Sequence, residues 1–261
     1  MRGCPAQPPT SAREALRNAN VCGEFLFLVA WDVNGRGSPS RLKSLPVTRP
    51  TTREGNTRVH PVGWRTSLRV FIVYANPVGP SFGAALLKQS VDALRSRGHE
   101  IDNCDLYAER FNPVMSEQER MQYHDVELNR APIGDYADRL LAAEALVLIY
   151  PVWNEGFPAI LKGFFDRVFI PGVSFNVGHD GAIVPNLQKL RKLAAVCTYG
   201  ATRTISFLLG DPPKRVVKRL VRSMPGHTVR CDYLAYYDMD HSTSEQRVAF
   251  LQKVQRTFET W

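Results

Sequence analysis

Leu68–Tyr74 reads LRVFIVY, apolar at every position but Arg69, and runs into Ala75–Gly83, ANPVGPSFG. A near-continuous apolar run of this length marks a strand buried on both faces, and such strands belong to parallel sheets covered by helices. The chain downstream keeps to that pattern. Ser81 to Arg97 reads as a helix, with Leu86, Leu87, Val91 and Leu94 on one face and Gly98 as its stop. A second strand is expected over His99–Leu106, and Ser116 with Glu119 forms a capping box for a short helix. Asp135–Glu144 reads as a helix leading into the strand Ala145–Tyr150, and Pro158–Ile170 as a helix with proline at its start. Leu193–Thr198 and Val229–Tyr236 supply the fourth and fifth strands, and Ser242 with Glu245 boxes the start of a last helix ending near Phe258. Strand–helix alternation with five strands predicts an α/β, doubly wound five-stranded parallel sheet with helices on both faces. Ligands of such sheets bind outside the carboxyl ends of the strands, so the loops after strands one, three and four matter most.

Upstream, residues 1–66 differ in kind. They hold seven of the 18 prolines and, apart from the run Phe25–Trp31, little periodicity. They carry ten Arg/Lys and four Asp/Glu, against 23 and 21 in residues 67–261, so most of the net charge of +8 belongs to them. The remainder calls for no nucleic acid or other polyanion. The run Phe25–Trp31 is too short to cross a bilayer and, with Glu14 and Glu24 before it, makes a poor signal peptide. The segment is expected to be a low-order basic extension: a targeting segment, a regulatory tail or, the favoured reading, sequence upstream of a true start near Leu68. Five scattered cysteines, with no C-x-x-C pair, point to a reducing, cytoplasmic setting.

Each of the three loops has two readings. In the first, Ala75–Gly83, there is no G-x-G-x-x-G and no P-loop, but Ser81 caps a helix whose free N–H groups attract an anion such as phosphate; equally, Ser81 is a plain N-cap. In the second, Tyr150–Pro158 (YPVWNEGFP), Trp153 is a candidate plate for a flat ring or a seal on the core. In the third, Cys197–Thr202 (CTYGAT), hydroxyls and the backbone freedom of Gly200 suit contact with a ring edge, or mark a simple strand exit.

The runs SFGAALLK (81–88), CDLYAERFNPVMS (104–116), YPVWNEGFPAILKGFFDRVFIPGVSF (150–175) and the CTYG loop (197–200) resemble the NAD(P)H:quinone oxidoreductase family of flavodoxin-like flavoproteins. The long pattern P-x-W-x-x-G-x-P-A-x-L-K-G-F-x-D-R-V from Pro151 is the most specific of these. The resemblance implies a flavodoxin-like, flavin-binding domain over residues 67–261, holding FAD or, alternatively, FMN. It places the flavin phosphate on Ser81, Phe82 and Gly83, with Asn76 beside them. Pro151, Val152, Trp153 and Asn154 would lie along the ring, and Thr198, Tyr199 and Gly200 at its pyrimidine side. NAD(P)H is the implied co-substrate and a quinone-like compound the acceptor, using one pocket in ping-pong order. N–H groups around Tyr199 and Gly200 would stabilise developing negative charge and so count as catalytic. A homodimer is also implied.

The sequence departs from the family where His is common (Asn76) and where Asn is common (Gly83), and residues 201–211 lack the Tyr and His that animal members use toward quinone. Two other readings stand beside the enzyme: an ancillary subunit of a membrane potassium-efflux system, and a one-electron carrier of flavodoxin type. Elsewhere, Asp238, Asp240 and His241 crowd one loop, but a turn before the last helix accounts for them and no metal is expected. Cys197 reads as a small core residue. Lys162, Asp166 and Arg167 read as helix-pairing and subunit-contact groups. Pro212–Arg222 (PPKRVVKRLVR) is a basic amphipathic helix: a solvated face, an attractor of NADPH phosphates, or a peripheral contact for a membrane surface.

Overall fold

A computed structural model of the chain describes residues 67–261; the extension read over residues 1–66 lies outside the described residues. The elements run β1 (Arg69–Tyr74), α1 (Phe82–Ser96), β2 (Glu100–Asp105), α2 (Glu117–Met121), α3 (Gly134–Ala142), β3 (Ala145–Val152) and α4 (Ala159–Val168). There follow β4 (Phe175–Val177), β5 (Ile183–Pro185), β6 (Lys192–Tyr199), α5 (Arg203–Leu208), α6 (Pro212–Arg215), β7 (Arg230–Tyr236) and α7 (Ser244–Phe258). Five strands form one sheet in the order β2-β1-β3-β6-β7, every neighbouring pair parallel. This is the doubly wound, flavodoxin-like order, with its switch point between β1 and β3.

Burial explains why the strands read so plainly. Five of the six β1 residues, and seven of the eight in β3, are buried. Their side chains alternate between two cores. Phe71, Val73, Leu146, Leu148 and Ala195 face α3, α4 and the segment Val216–Val221 that continues α6. Val70, Ile72, Val147, Ile149 and Val196 face α1 and α7. Fully burying one such aliphatic side chain contributes roughly 1.5–3 kcal/mol, so the two layers are the main source of the fold's stability.

Three local readings change. The last helix begins one residue later: Thr243, not Ser242, is the N-cap, and Gln246, not Glu245, completes the capping box. The stretch Ser242–Gln246 offers both pairings, and Ser242 is drawn off by its own bonds, donating to Met239 O at 2.6 Å and accepting from Arg247 Nε at 2.9 Å. A short antiparallel hairpin, β4–β5, and the helix α5 were not read from the sequence. Arg167, expected at helix pairing and a subunit contact, is spent on the first, joining α4 to α2 within the chain. Its side chain is 9% exposed, pairs with Glu119 at 2.5 Å, donates to Asn112 O and lies over the Phe111 ring.

That clamp accounts for the glycine in the long motif. A Cβ at Gly163 would fall on the backbone and ring of Pro113, in the segment Arg167 holds down. Gly163→Ala is expected to destabilise the domain by about 3 kcal/mol, since neither backbone can yield cheaply. Urea unfolding followed by circular dichroism measures it; a midpoint unchanged from wild type would mean the close approach is not there.

Candidate functional site

β1, β3 and β6 are adjacent and parallel, so the three loops that follow them open at one edge of the sheet. In the first loop, Ser81 has extended backbone and its Oγ accepts from Ala84 N at 3.2 Å. The next two N–H groups, of Phe82 and Gly83, have no acceptor among the described residues and stand at the start of a 15-residue helix. Asn76 folds back over them: its Oδ1 accepts from Val78 N at 3.0 Å, and its Nδ2 lies 3.4 Å from Ser81 Oγ. A Cβ at Gly83 would fall on that same Nδ2. The two departures from the family pattern are therefore one: the Asn76 amide occupies the space a side chain at position 83 would need. The Phe82 ring itself is turned away, packed on Tyr236 and Phe250.

The second loop is a tight turn. Trp153 N donates to Gly156 O at 3.1 Å and Gly156 N to Trp153 O at 2.9 Å, with Asn154 and Glu155 at φ 49° and 55°. Two successive left-handed residues form a type I′ turn, and for non-glycine residues each costs of order 1 kcal/mol. Pro151 and Val152 belong to β3, and Val152 is buried. Trp153 stands clear of the core at 43% exposure. A tryptophan that merely sealed the core would be covered, so the exposure favours the plate over the seal.

The third loop rests on a buried chain of hydroxyls. Tyr199 Oη donates to Asp211 Oδ1 at 2.7 Å and lies 2.6 Å from Tyr233 Oη, which lies 3.4 Å from Tyr150 Oη. Tyr237 Oη donates to Asp211 Oδ2 at 3.1 Å, and Lys214 Nζ pairs with that carboxylate at 3.3 Å. Burial raises the pKa of all four tyrosines, which keeps them neutral donors. It also pushes the Cys197 thiol up to about 12, consistent with a core residue. Asp211 has left-handed backbone, φ 46°, the kind of strain that a dense set of side-chain bonds can hold. Thus the Tyr199 hydroxyl points inward, and only main chain is left for the site. Thr198 is half-buried, Gly200 is exposed, and the N–H groups of Gly200, Ala201 and Thr202 have no acceptor among the described residues. Asp238 N donates to Ala201 O at 3.0 Å, and Asp240 leans over Gly200. His241 Nδ1 lies 2.7 Å from Asp238 Oδ1 and ties that turn to itself, so the loop is braced by the Asp238 main chain and the Asp240 carboxylate.

Two candidate residues at this edge escaped the sequence reading. The Tyr74 hydroxyl, at the end of β1, is buried and makes no hydrogen bond among the described residues; burial raises its pKa, a rise tempered by the nearby Ser81 side chain, which lies outside bonding distance. Glu155 Oε2, in the tryptophan turn, is likewise buried and unbonded. The signal for Tyr74 was faint: a polar tip ending an otherwise aliphatic strand, beside the loop it serves. Nothing marked Glu155, since its burial follows from the turn.

A phosphate-bearing, flat ring system fits this edge. Unpaired N–H groups and an orphaned hydroxyl meet at the first loop, a bare indole stands at the second, and more N–H groups line the third.

Comparison with known proteins agrees with the fold. The family described as flavodoxin-like fold matches residues 68–246. The chain is 31% identical over 114 residues to an uncharacterised NAD(P)H oxidoreductase of Escherichia coli, covering 43% of this chain and 58% of that protein. It is 30% identical over 103 residues to the FMN-dependent NADH:quinone oxidoreductase of Coprothermobacter proteolyticus, covering 39% and 50%. The solved NAD(P)H:quinone oxidoreductase from Methanothermobacter marburgensis superimposes with a TM-score of 0.62 at 25% identity, over 74% of this chain and 96% of that one. The aligned segments thus span between half and six-tenths of these curated relatives.

Trp153→Ala is expected to weaken flavin binding about tenfold, the scale of one lost stacking contact. Fluorescence titration of the apoprotein reads it; unchanged affinity, together with unchanged turnover, would leave Trp153 without a part in the site.

Proposed function

The chain belongs to the flavodoxin-like-fold family of NAD(P)H:quinone oxidoreductases, and on that premise we propose that it is a flavin-dependent NAD(P)H dehydrogenase acting on a quinone or related acceptor. The observation that carries the reading is the meeting, at one sheet edge, of unpaired first-loop and third-loop N–H groups with the exposed Trp153. Ser81, Phe82 N–H, Gly83 N–H and the Asn76 amide would hold the phosphate, with Tyr74 as a further donor. Pro151, Val152, Trp153 and Asn154 would lie along the ring. Bound there, the flavin would supply the two-electron chemistry, taking hydride from NAD(P)H and giving it to the acceptor in two successive half-reactions.

The protein's own part is position and electrostatics. Thr198, Tyr199 and Gly200 would bring main chain to the ring's pyrimidine edge, and the N–H groups from Gly200 onward would stabilise negative charge developing there, as an oxyanion hole does. The Tyr199–Asp211 bond keeps this loop from relaxing. FMN is proposed over FAD, the flavin that the family resemblance put first. Support comes from the 30%-identical relative that is FMN-dependent by name, and from an anchor that needs nothing beyond the phosphate. The homodimer that the family implies is proposed through the exposed apolar surface of Val114, Met121, Val126 and Leu128. Among the described residues no helix is long and apolar enough to cross a membrane.

Steady-state kinetics with NAD(P)H and a soluble quinone test the function. Double-reciprocal plots at several fixed quinone concentrations are expected to be parallel, the sign of one pocket used twice. Intersecting lines would refute the ping-pong order, and no turnover with either nicotinamide would refute the enzyme.

A further inference from the structure

We propose that the face formed by α5, α6 and its continuation is a docking surface for an anionic lipid bilayer, bringing the site to acceptors dissolved in the membrane. The second half of that statement rests on the quinone-reductase reading; the surface stands without it.

The face has an apolar tip. Phe207 and Leu208 are each 77% exposed, with Leu209 at 59% and Ile205 at 49%. Single exposed apolar side chains are ordinary, but four within five residues form a patch that water disfavours. Directly behind the tip the chain turns basic. α6 continues as a π-wound segment, Val216–Val221, that buries Val217 and Val221 and turns Lys218, Arg219 and Leu220 outward. Arg215 ties the two parts together, its guanidinium lying over Gly210 at the end of the tip.

The charge is one-sided. Arg203, Arg215, Lys218, Arg219 and Arg222 are exposed and make no ion pair among the described residues. The one acid between Thr202 and Ser223 is Asp211, which is buried and engaged by Lys214, Tyr199 and Tyr237. An apolar tip flanked by unpaired cations complements a bilayer surface, where acyl chains accept the tip and anionic headgroups accept the cations. A second copy of the chain is a poorer occupant, because a two-fold pairing of this face would set its unpaired cations against their own copies.

Position gives the surface its use. Gly200 faces the site, Thr202 caps α5, and the tip begins at Ile205. The apolar patch therefore starts where the third loop ends, and a bilayer against it would lie beside the acceptor's entry. Residues 201–211 themselves hold neither Tyr nor His, only Arg203, the apolar tip and Asp211 among their larger side chains.

The test is co-sedimentation of the full chain with phosphatidylcholine vesicles, with and without phosphatidylglycerol. Partition onto the anionic vesicles is expected to exceed that onto the neutral ones at least about tenfold and to fall with added salt. It should drop about tenfold in Phe207→Ser/Leu208→Ser and in Lys218→Glu/Arg219→Glu, while turnover of a soluble quinone stays at the wild-type level in both. Equal partition onto neutral vesicles, or partition that neither double variant changes, overturns the proposal. So does a Phe207→Ser/Leu208→Ser variant that splits a dimer while vesicle binding is unaltered, since the face is then a subunit interface. Vesicle binding as expected from a protein with no quinone turnover would leave the docking surface intact and defeat the enzymatic reading instead.

Discussion

The parallel pairing of β1, β3 and β6 decides where this chain can do chemistry. Strands buried on both faces give up their flanks to the core and leave only their ends open. The register carries this through: Tyr74 pairs with Ile149, and Pro151 with Thr198, so the strands finish within a few residues of one another. Three loops unlike in composition are thereby brought to one edge. A slip in one pairing would move a whole set of side chains between core faces, and the two apolar layers exclude it.

On that edge, rigidity is distributed unevenly. The first loop needs little support, since an N-cap and one folded-back amide define it. The second is held by two backbone hydrogen bonds and tolerates two left-handed residues in doing so. The third is the most heavily braced, by the tyrosine–Asp211 chain beneath and the 238–241 turn beside it. Such bracing matches the role proposed for it, because N–H groups stabilise developing charge well only if they need not reorient. The same Asp211 follows directly on the apolar tip, so one buried carboxylate lies between a rigid site wall and the exposed side chains of Ile205–Leu209.

Much of this was legible in the sequence, for physical reasons. LRVFIVY can be little other than a doubly buried strand, and Ser81 and Ser116 announce helix starts through side-chain chemistry that acts locally. Trp153 could be placed in its loop but not oriented, because exposure depends on a turn whose left-handed residues are Asn and Glu rather than glycine. The hairpin was missed because each of its strands is three residues long, too short for periodicity to register. α5 was missed because ISFLL has no face: its apolar residues point mostly to solvent. The hydroxyl chain was out of reach altogether, since Tyr150, Tyr199, Asp211, Tyr233 and Tyr237 come from separate elements and meet only in the fold. The last helix shows a subtler limit, where two capping boxes one residue apart are equally good locally and tertiary bonds to Ser242 choose between them.

The central claim is that this sheet edge holds a flavin by its phosphate. Heat denaturation of the purified full-length chain, with chromatography of what is released, tests it most directly. The account predicts about one FMN per chain, and rebinding of FMN to the apoprotein far tighter than riboflavin, which lacks the phosphate. Release of no flavin, with no uptake of FMN or FAD on reconstitution, would contradict it.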